Sequence, residues 1–391
     1  CGGMIVTLSM GVRQGFGMWL QPMTQEHGWS REAFAFALAL QNLVWGMSQP
    51  LAGMVADRYG AVRVLLLGAL LYAAGVALMG LSATPATFAL TAGVVLGLAQ
   101  SCTTYTVVYG IIGRNVDAAQ RSSAMGMAAA AGSIGQFLML PIERELIAGL
   151  GWQTALFMLG GAMLAIAPLA LGLREQRHAA APAHHAHQSV GEALREALRH
   201  GSFRWLMAGY FVCGFQLVFI GVHLPAYLRD KGLSANVAAW ALALIGLFNV
   251  FGSYAAGQLG QRLFKRHILT FIYFARAVAI GVFLLVPISP MSVYLFAAAM
   301  GLLWLSTVPP TNAVVAQMFG AQHFTMLAGL VFLSHQVGAF LGGWLGGVLY
   351  DRTGSYNVVW GLTIALGVFA GLANLPVDES PVVRRPAGAA A

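Results

Sequence analysis

Twelve long apolar runs divide the chain, and they constrain its fold more than any other feature of the sequence. Each run is close to the roughly 20 residues that an α-helix needs to cross the hydrocarbon core of a bilayer. Since 58% of the 391 residues are hydrophobic and only 9% are charged, one water-soluble core could not bury so much apolar surface. The sequence therefore predicts an all-α membrane protein with twelve transmembrane helices. Their approximate bounds are 1–24, 32–56, 62–81, 86–113, 120–142, 152–173, 203–228, 235–261, 267–286, 290–318, 324–349 and 355–375.

The two halves of the chain repeat each other. Matching residues lie 204 positions apart in four helices and 203 apart near the fifth and eleventh, as in the pairs Gly53/Gly257 and Gly135/Gly338. A constant offset over several helices predicts two pseudo-symmetric six-helix halves. We predict an N-terminal half (1–173), a cytoplasmic linker (174–202), a C-terminal half (203–376) and a cytoplasmic tail (377–391).

The linker is rich in Ala, Pro, His and charged residues. Ser189 and Glu192 have the spacing of a capping box, which predicts a short surface helix after Ser189. Four histidines in the linker could ligate a metal, but a solvated tract is the simpler interpretation, so we predict no metal site and no cofactor. These histidines are His178, His184, His185 and His187.

The basic residues predict the orientation in the membrane. If both termini are cytoplasmic, fourteen of the 21 Lys and Arg residues lie in cytoplasmic segments and five lie in outside loops. We therefore predict a multi-pass protein of a bacterial-type inner (plasma) membrane, monomeric, surrounded by lipid and with both termini inside. The formal charge of +8 is a topology signal, and no nucleic-acid partner is expected.

The loop after the second run carries the sequence GMVADRYGAVRV (53–64). It resembles G-x-x-x-D-R-x-G-R-R, the signature of the major facilitator superfamily between its second and third helices. The resemblance implies the fold of that family, in which two six-helix halves rock around a site near the middle of the membrane. It also implies that this loop latches one conformation. The matching residues, called the loop latch below, are Gly53, Asp57, Arg58, Gly60 and Arg63.

Two further segments resemble one branch of that family, the monocarboxylate porters and oxalate:formate-type antiporters. RSSAMGMAAAAGSIG (121–135) is similar to a helix signature of that branch, and RQGFGMW (13–19) is similar to its first-span motif, with Arg13 in place of an acidic residue. In the eighth span, Asn249 and Ser253 stand where the branch keeps an acid and an arginine. His335 in the eleventh span takes the place of a cationic lysine. Because the acid and the arginine of that branch are both replaced here, the resemblance does not by itself define the substrate.

Arg13 lies about halfway along the first run, which lines the central cavity in the family that the chain resembles. An arginine at the middle of a span costs at least about 2.5–3.5 kcal/mol, and its guanidinium does not lose its proton. By the predicted bounds, all thirteen acidic residues fall outside the middle of the spans. A bound anion is therefore the expected counter-charge. A structural role, with Arg13 hydrogen-bonded to neighbouring helices, stays open.

Two other groups inside the runs can titrate or carry charge. Arg276 in the ninth run is expected to extend towards the cytoplasmic face rather than to contact a ligand. His335 is a candidate to carry a proton or to assist the anion, and a neutral hydrogen-bonded histidine is an equal alternative. Pro309 and Pro310 should break or kink the tenth span.

We predict a secondary active transporter of a small organic anion, such as a monocarboxylate, that works by alternating access. The chain has no Walker sequence, no metal-ligand helix and no paired carboxylates, so we predict that it is not an enzyme. Symport with a proton and exchange of anions both stay open. The alternatives are transport of a neutral or cationic solute, such as an amino acid or a drug-like molecule, and a nutrient sensor that does not transport. The predicted substrate-binding residues are Arg13, Gln14, Tyr105, Gln216, Asn249, Ser253 and His335, with His335 also the proton-coupling candidate.

Overall fold

The computed structural model describes residues 1–29, 31–173 and 188–382, and every regular element in these ranges is helical. In the N-terminal half, the first span is Gly2–Gln14, which continues through a 3-10 turn (Gly15–Trp19) into Leu20–His27, and the second and third are Arg31–Tyr59 and Ala61–Met79. The fourth span consists of four consecutive segments, Pro85–Phe88, Ala89–Val95, Leu96–Thr103 and Tyr105–Asn115. The fifth is Ala118–Leu150, and the sixth consists of Trp152–Met163 and Ile166–Leu171. The C-terminal half contains Gly201–Asp230, Ala235–Arg262, Lys265–Leu285, Pro290–Leu303 with Val308–Phe319, Phe324–Thr353 and Asn357–Asn374. The linker histidines His178, His184, His185 and His187 lie outside the described residues.

Ten of these spans are long and apolar enough to cross a membrane by length and composition alone. The broken first span and the second span, Arg31–Tyr59, complete the twelve. The prediction of an all-α membrane protein with twelve spans is therefore confirmed. Between the halves, the predicted capping box is also present: the Ser189 N–H donates to Glu192 Oε2 (2.8 Å), the Glu192 N–H donates to Ser189 Oγ (3.2 Å), and a helix follows over Val190–Arg199. The hydrogen bond that the Ser189 backbone N–H donates to the carboxylate lowers the pKa of Glu192.

Equivalent helix contacts in the two halves match the sequence repeat. Gly135 of the fifth span lies against the backbone carbonyl of Thr7, and Gly338 of the eleventh lies against that of Phe211. Thr7 and Phe211 are themselves 204 residues apart. In both places a β-carbon would collide with the neighbouring backbone, so the two glycines permit the same close helix crossing in each half.

The two halves contact each other on the side of the molecule that carries the linker. The backbone of Gly126 in the fifth span lies against that of Gly257 in the eighth, with no room for a β-carbon between them. On the other side of the axis, Gly53 of the second span packs on the Thr325 carbonyl of the eleventh, and Gly329 packs on Gln49. These small residues close the linker side of the interface.

The fifth span is longer than predicted. It continues past residue 142 to Leu150, with Pro141 inside the helix. Proline inside a helix removes one backbone donor and its ring crowds the carbonyl of the preceding turn, and the helix nevertheless continues through Pro141. Glu143 is therefore part of the span and completely buried, so the predicted end of the fifth span at residue 142 is wrong.

The expectation for Arg276 is also wrong. Its side chain is completely buried and does not reach the surface. The guanidinium donates to the Leu303 carbonyl (2.6 Å from Nη2) and to the Trp304 carbonyl, and Nη1 donates to Gln216 Oε1 (3.3 Å). Leu303 ends the first segment of the tenth span, which breaks ahead of Pro309 as predicted. Arg276 thus satisfies carbonyls that the break leaves without helical donors.

Candidate substrate cavity

A cavity of about 390 Å³ lies between the two halves. Residues of the first, second, fourth and fifth spans line it on one side, and residues of the seventh, eighth, tenth and eleventh spans line it on the other. Within the described ranges, the third, sixth, ninth and twelfth spans contribute no lining residue. Away from the linker side, the lining residues Phe137, Val222 and Leu242 are exposed, so the cavity is open in that direction.

Arg13 places a positive charge in this cavity. It lies in the last turn of Gly2–Gln14, where the helix carbonyls favour a cation. Its Nη2 donates to Asn42 Oδ1 (2.6 Å), and its guanidinium carbon lies 5.0 Å from the centre of the Trp45 ring. Its Nε is buried without a hydrogen-bond partner. Among the described residues, no carboxylate lies within ion-pair distance of the guanidinium, so its charge is not neutralised there.

Trp45 is held in place by the amide of Gln49, one helix turn further along. The indole Nε1 donates to Gln49 Oε1 (2.9 Å), and the same oxygen accepts from the Thr104 hydroxyl (3.0 Å). Gln49 Nε2 in turn donates to the Ser101 carbonyl (2.8 Å). These bonds orient the indole ring beneath Arg13, where its π-face attracts a cation.

His335 lies on the opposite wall of the cavity, in the eleventh span. Its ring stacks on Phe332, with ring centres 5.5 Å apart, and lies 4.9 Å from the Tyr210 ring. Its Nδ1 is 3.3 Å from Gln336 Oε1. The His335 side chain is half-buried, is hydrogen-bonded to its neighbour and lines the cavity.

A hydrogen-bonded path joins the two walls. Arg13 binds the Asn42 side chain, and the Asn42 backbone carbonyl accepts from Gln336 Nε2 (3.2 Å). Gln336 is next to His335 in the chain and lines the same cavity. Two hydrogen bonds, through Asn42, thus connect Arg13 to Gln336 in the C-terminal half.

Four of the seven predicted binding residues line the cavity: Arg13, Gln14, Tyr105 and His335. The ring of Tyr105 lines the cavity, whereas its hydroxyl is buried against Gly132 of the fifth span without a hydrogen-bond partner.

The other three predicted binding residues do not line the cavity. Gln216, Asn249 and Ser253 are completely buried between helices. Asn249 donates to Ser133 Oγ (2.8 Å) and accepts from the Leu305 N–H (2.9 Å), while Ser253 donates to Asn249. Gln216 donates to the Thr363 carbonyl and accepts from Arg276. Polar residues of a span often bind neighbouring helices in this way, and the sequence does not distinguish that use from ligand contact.

Asn42, Trp45 and Gln336 are not among the predicted binding residues, although all three line the cavity next to Arg13 or His335. The spacing of the polar and aromatic residues along the second span could have identified Asn42 and Trp45. Asn42 and Trp45 are three residues apart and therefore share a helix face, and the same face one turn later carries Gln49.

The loop latch lies at the closed, linker side. Asp57 Oδ1 accepts from Arg114 Nη1 (3.1 Å), and Oδ2 accepts from the backbone N–H of Met326 (2.9 Å), in the first turn of the eleventh span. A carboxylate at a helix N-terminus is stabilised by the free N–H groups and the helix dipole. Asp57 thus connects the N-terminal half to the C-terminal half.

The other latch residues have different surroundings. Gly53 gives the close contact with Thr325 described above, and Gly60 has a φ of 98°, which favours glycine at the turn into the third span. Arg58 and Arg63 are exposed. The guanidinium of Arg58 lies 5.2 Å from the ring centre of Tyr59.

Comparison with known proteins identifies the same architecture. The family model described as Major Facilitator Superfamily matches residues 2–323. The uncharacterized MFS-type transporter YcxA of Bacillus subtilis is 26% identical, covering 92% of this chain and 88% of the relative. Human monocarboxylate transporter 12 is 23% identical over 83% of this chain and 69% of its own length. A crystal structure of the Escherichia coli fucose:proton symporter FucP superposes with a TM-score of 0.74 at 13% identity, covering 95% of this chain and 96% of that chain.

Proposed function

Because the chain belongs to the major facilitator superfamily of membrane transporters, we propose that it carries a small organic anion, with a monocarboxylate as the simplest cargo, through the cavity around Arg13. The protein is a multi-pass membrane transporter and not an enzyme. The proposal concerns the class of cargo and the residues that bind it.

The observation that carries the proposal is the charge of Arg13. The guanidinium faces the cavity, one amide and one aromatic face are its neighbours, and no carboxylate pairs with it among the described residues. A planar carboxylate fits the geometry of a guanidinium and can accept two hydrogen bonds from it. A bound carboxylate would therefore supply the missing negative charge.

The remaining lining suits a short carboxylate with an apolar tail. Met10, Leu217 and Val218 give part of the wall an apolar surface. A volume of about 390 Å³ is at the small end of the range for ligand sites. These features favour a small cargo over a drug-like molecule.

The relatives support the same class of cargo. Human monocarboxylate transporter 12 and mouse monocarboxylate transporter 11 are 23% and 24% identical to this chain. A neutral or cationic solute, the first alternative from the sequence, does not account for a cationic group in the cavity that has no counter-charge among the described residues.

The proposed mechanism is alternating access. In the state described here the linker side is closed by contacts such as Gly126 with Gly257, and the cavity is open on the other side. With both termini in the cytoplasm of a bacterial-type cell, as the basic residues predict, this state faces outwards. Rocking of the two halves would then open the linker side and close the other side.

Binding of pyruvate tests the cargo class. We expect pyruvate, but not alanine, to raise the melting temperature of the purified transporter. R13Q should weaken pyruvate binding by about 10–100-fold, since a hydrogen bond to a charged group contributes about 1.5–3 kcal/mol. The matched control is R229Q, which removes an exposed arginine at the end of the seventh span. Equal pyruvate binding by R13Q and the wild type would refute the proposal, and a shift by alanine alone would favour the neutral-solute alternative.

A further inference from the structure

Glu143 is an acidic side chain inside the fifth span that the proposed mechanism does not use. It is completely buried, and its carboxyl group lies against Gly15, the first residue of the 3-10 turn in the first span. Any side chain at position 15 would collide with that carboxyl group. Glu143 therefore packs directly on the backbone of the segment that carries Arg13.

Neither oxygen of Glu143 has a hydrogen-bond partner, and both are buried. An ionised carboxylate left in an apolar interior without a partner is strongly destabilised, and such a group takes up a proton instead. The buried geometry thus requires the neutral acid. Water or a partner must reach the carboxyl group before it can release that proton.

The charged and titratable groups around Glu143 do not replace such a partner. From the third span, Tyr72 faces it, but the Tyr72 hydroxyl donates to the Ser9 carbonyl (2.8 Å). From the first span, the Arg13 guanidinium is directed at Asn42 of the second span. In the part of the fourth span that packs on the fifth, Tyr105 and Tyr109 are buried phenols, and Arg114 pairs with Asp57 at the linker end.

Among the side chains that the structure describes, the remaining neighbours supply no counter-charge either. On its own helix, Glu145 is exposed. The parts of the sixth and tenth spans that pack on the fifth contain no charged residue, and in the eighth span Arg262 lies at the linker end.

Glu143 is close to the cavity without lining it. Gln136, which lines the cavity, precedes Glu143 by seven residues and therefore shares its helix face, about 10 Å away along the axis. Gln14, also in the cavity wall, is the residue before Gly15. The backbone of the first span thus separates the carboxyl group from the cavity, and a small shift of that span would hydrate it.

We propose that Glu143 is the proton-carrying residue that couples transport of the anion to a proton gradient. The inference rests on the proposed anion cargo. The carboxylate of Glu143 binds one proton to form the acid, and the same O–H bond breaks when the proton leaves on the other side. One anion at Arg13 and one proton at Glu143 together move no net charge. Arg13 and Gly15 are two residues apart, so movement of the first span around the anion changes the burial of Glu143.

Uptake of radiolabelled pyruvate into proteoliposomes tests this inference. A proton gradient of one pH unit should let the wild type accumulate pyruvate about tenfold, because one unit corresponds to about 1.4 kcal/mol per proton. E143Q resembles the neutral acid in shape, so the variant should fold. We expect it to lose the gradient-driven accumulation while it still exchanges internal for external pyruvate. E145Q, which changes an exposed acid on the same helix, is the matched control and should accumulate like the wild type.

The outcomes separate the two proposals. A wild type that neither binds nor exchanges pyruvate refutes the anion cargo. A wild type that exchanges pyruvate but never accumulates it under a proton gradient overturns the role of Glu143 alone. Accumulation by E143Q at the wild-type level overturns it as well. Loss of both exchange and accumulation in E143Q would show a structural role and would also overturn it.

Discussion

Removing the negative charge of Asp57 should open the linker side of the transporter. In D57N the amide oxygen still accepts from the Met326 N–H, so the shape of the contact is kept. The variant loses the attraction of the carboxylate for Arg114 and for the N-terminus of the eleventh span. Because the Asp57 side chain is only 3% exposed, solvent screens this attraction weakly.

The size of the effect follows from these contacts. A charge at a partly buried helix terminus contributes up to about 2 kcal/mol, so we expect D57N to weaken the closed linker side by about 1–2 kcal/mol. The ratio of linker-closed to linker-open molecules should then fall by about 5–30-fold.

Spin labels at positions 120 and 262 can measure that ratio. Gln120 and Arg262 are exposed and lie on the two sides of the closed interface near Gly126 and Gly257. Distance distributions by pulsed electron resonance should shift to longer distances in D57N. D230N, which removes an exposed acid on the opposite side, should leave the distribution unchanged. An unchanged distribution in D57N would refute the latch role of Asp57.

Two further variants test the closed interface and the broken tenth span. G126A should lengthen the same spin-label distances, because a β-carbon at Gly126 meets the Gly257 backbone and opens the linker side. G149A on the same helix is the control and should have no effect, since a β-carbon at Gly149 meets no atom within 4 Å. Equal distances in the two variants would contradict this. R276M should lower the free energy of unfolding by at least about 2 kcal/mol, because it leaves the buried carbonyls of Leu303 and Trp304 without the guanidinium donor. A melting temperature in detergent equal to that of the wild type would contradict this prediction.

The sequence predicted the spans well because their signal is local. Composition and length mark each span, and Pro309 and Pro310 mark the break in the tenth. The repeat could be seen because close helix crossings need small residues at equivalent positions, as Gly135 and Gly338 show.

The sequence predicted only some of the polar residues that line the cavity. Arg13 and Arg276 look alike in sequence, each a single arginine in an apolar run. Arg276 lies next to a helix break and binds its carbonyls, whereas Arg13 lies beside an amide and an indole. Whether a charge has a partner depends on contacts between distant helices, which local patterns do not contain.

Glu143 was misplaced for a related reason. Its neighbours Pro141 and Arg144 are typical of a loop, and the predicted helix ended at 142. Packing on the first span extends the helix to Leu150 and buries the carboxyl group against Gly15. Only the contact with Gly15 of the first span shows that Glu143 is a buried residue of the fifth span.

The most direct test of the anion site is a structure of the transporter with pyruvate bound in the open cavity. The account predicts that the carboxylate of pyruvate lies about 2.7–2.9 Å from the guanidinium nitrogens of Arg13, as expected for a charge-assisted hydrogen bond. Pyruvate bound elsewhere in the cavity, with its carboxylate away from Arg13, would contradict it.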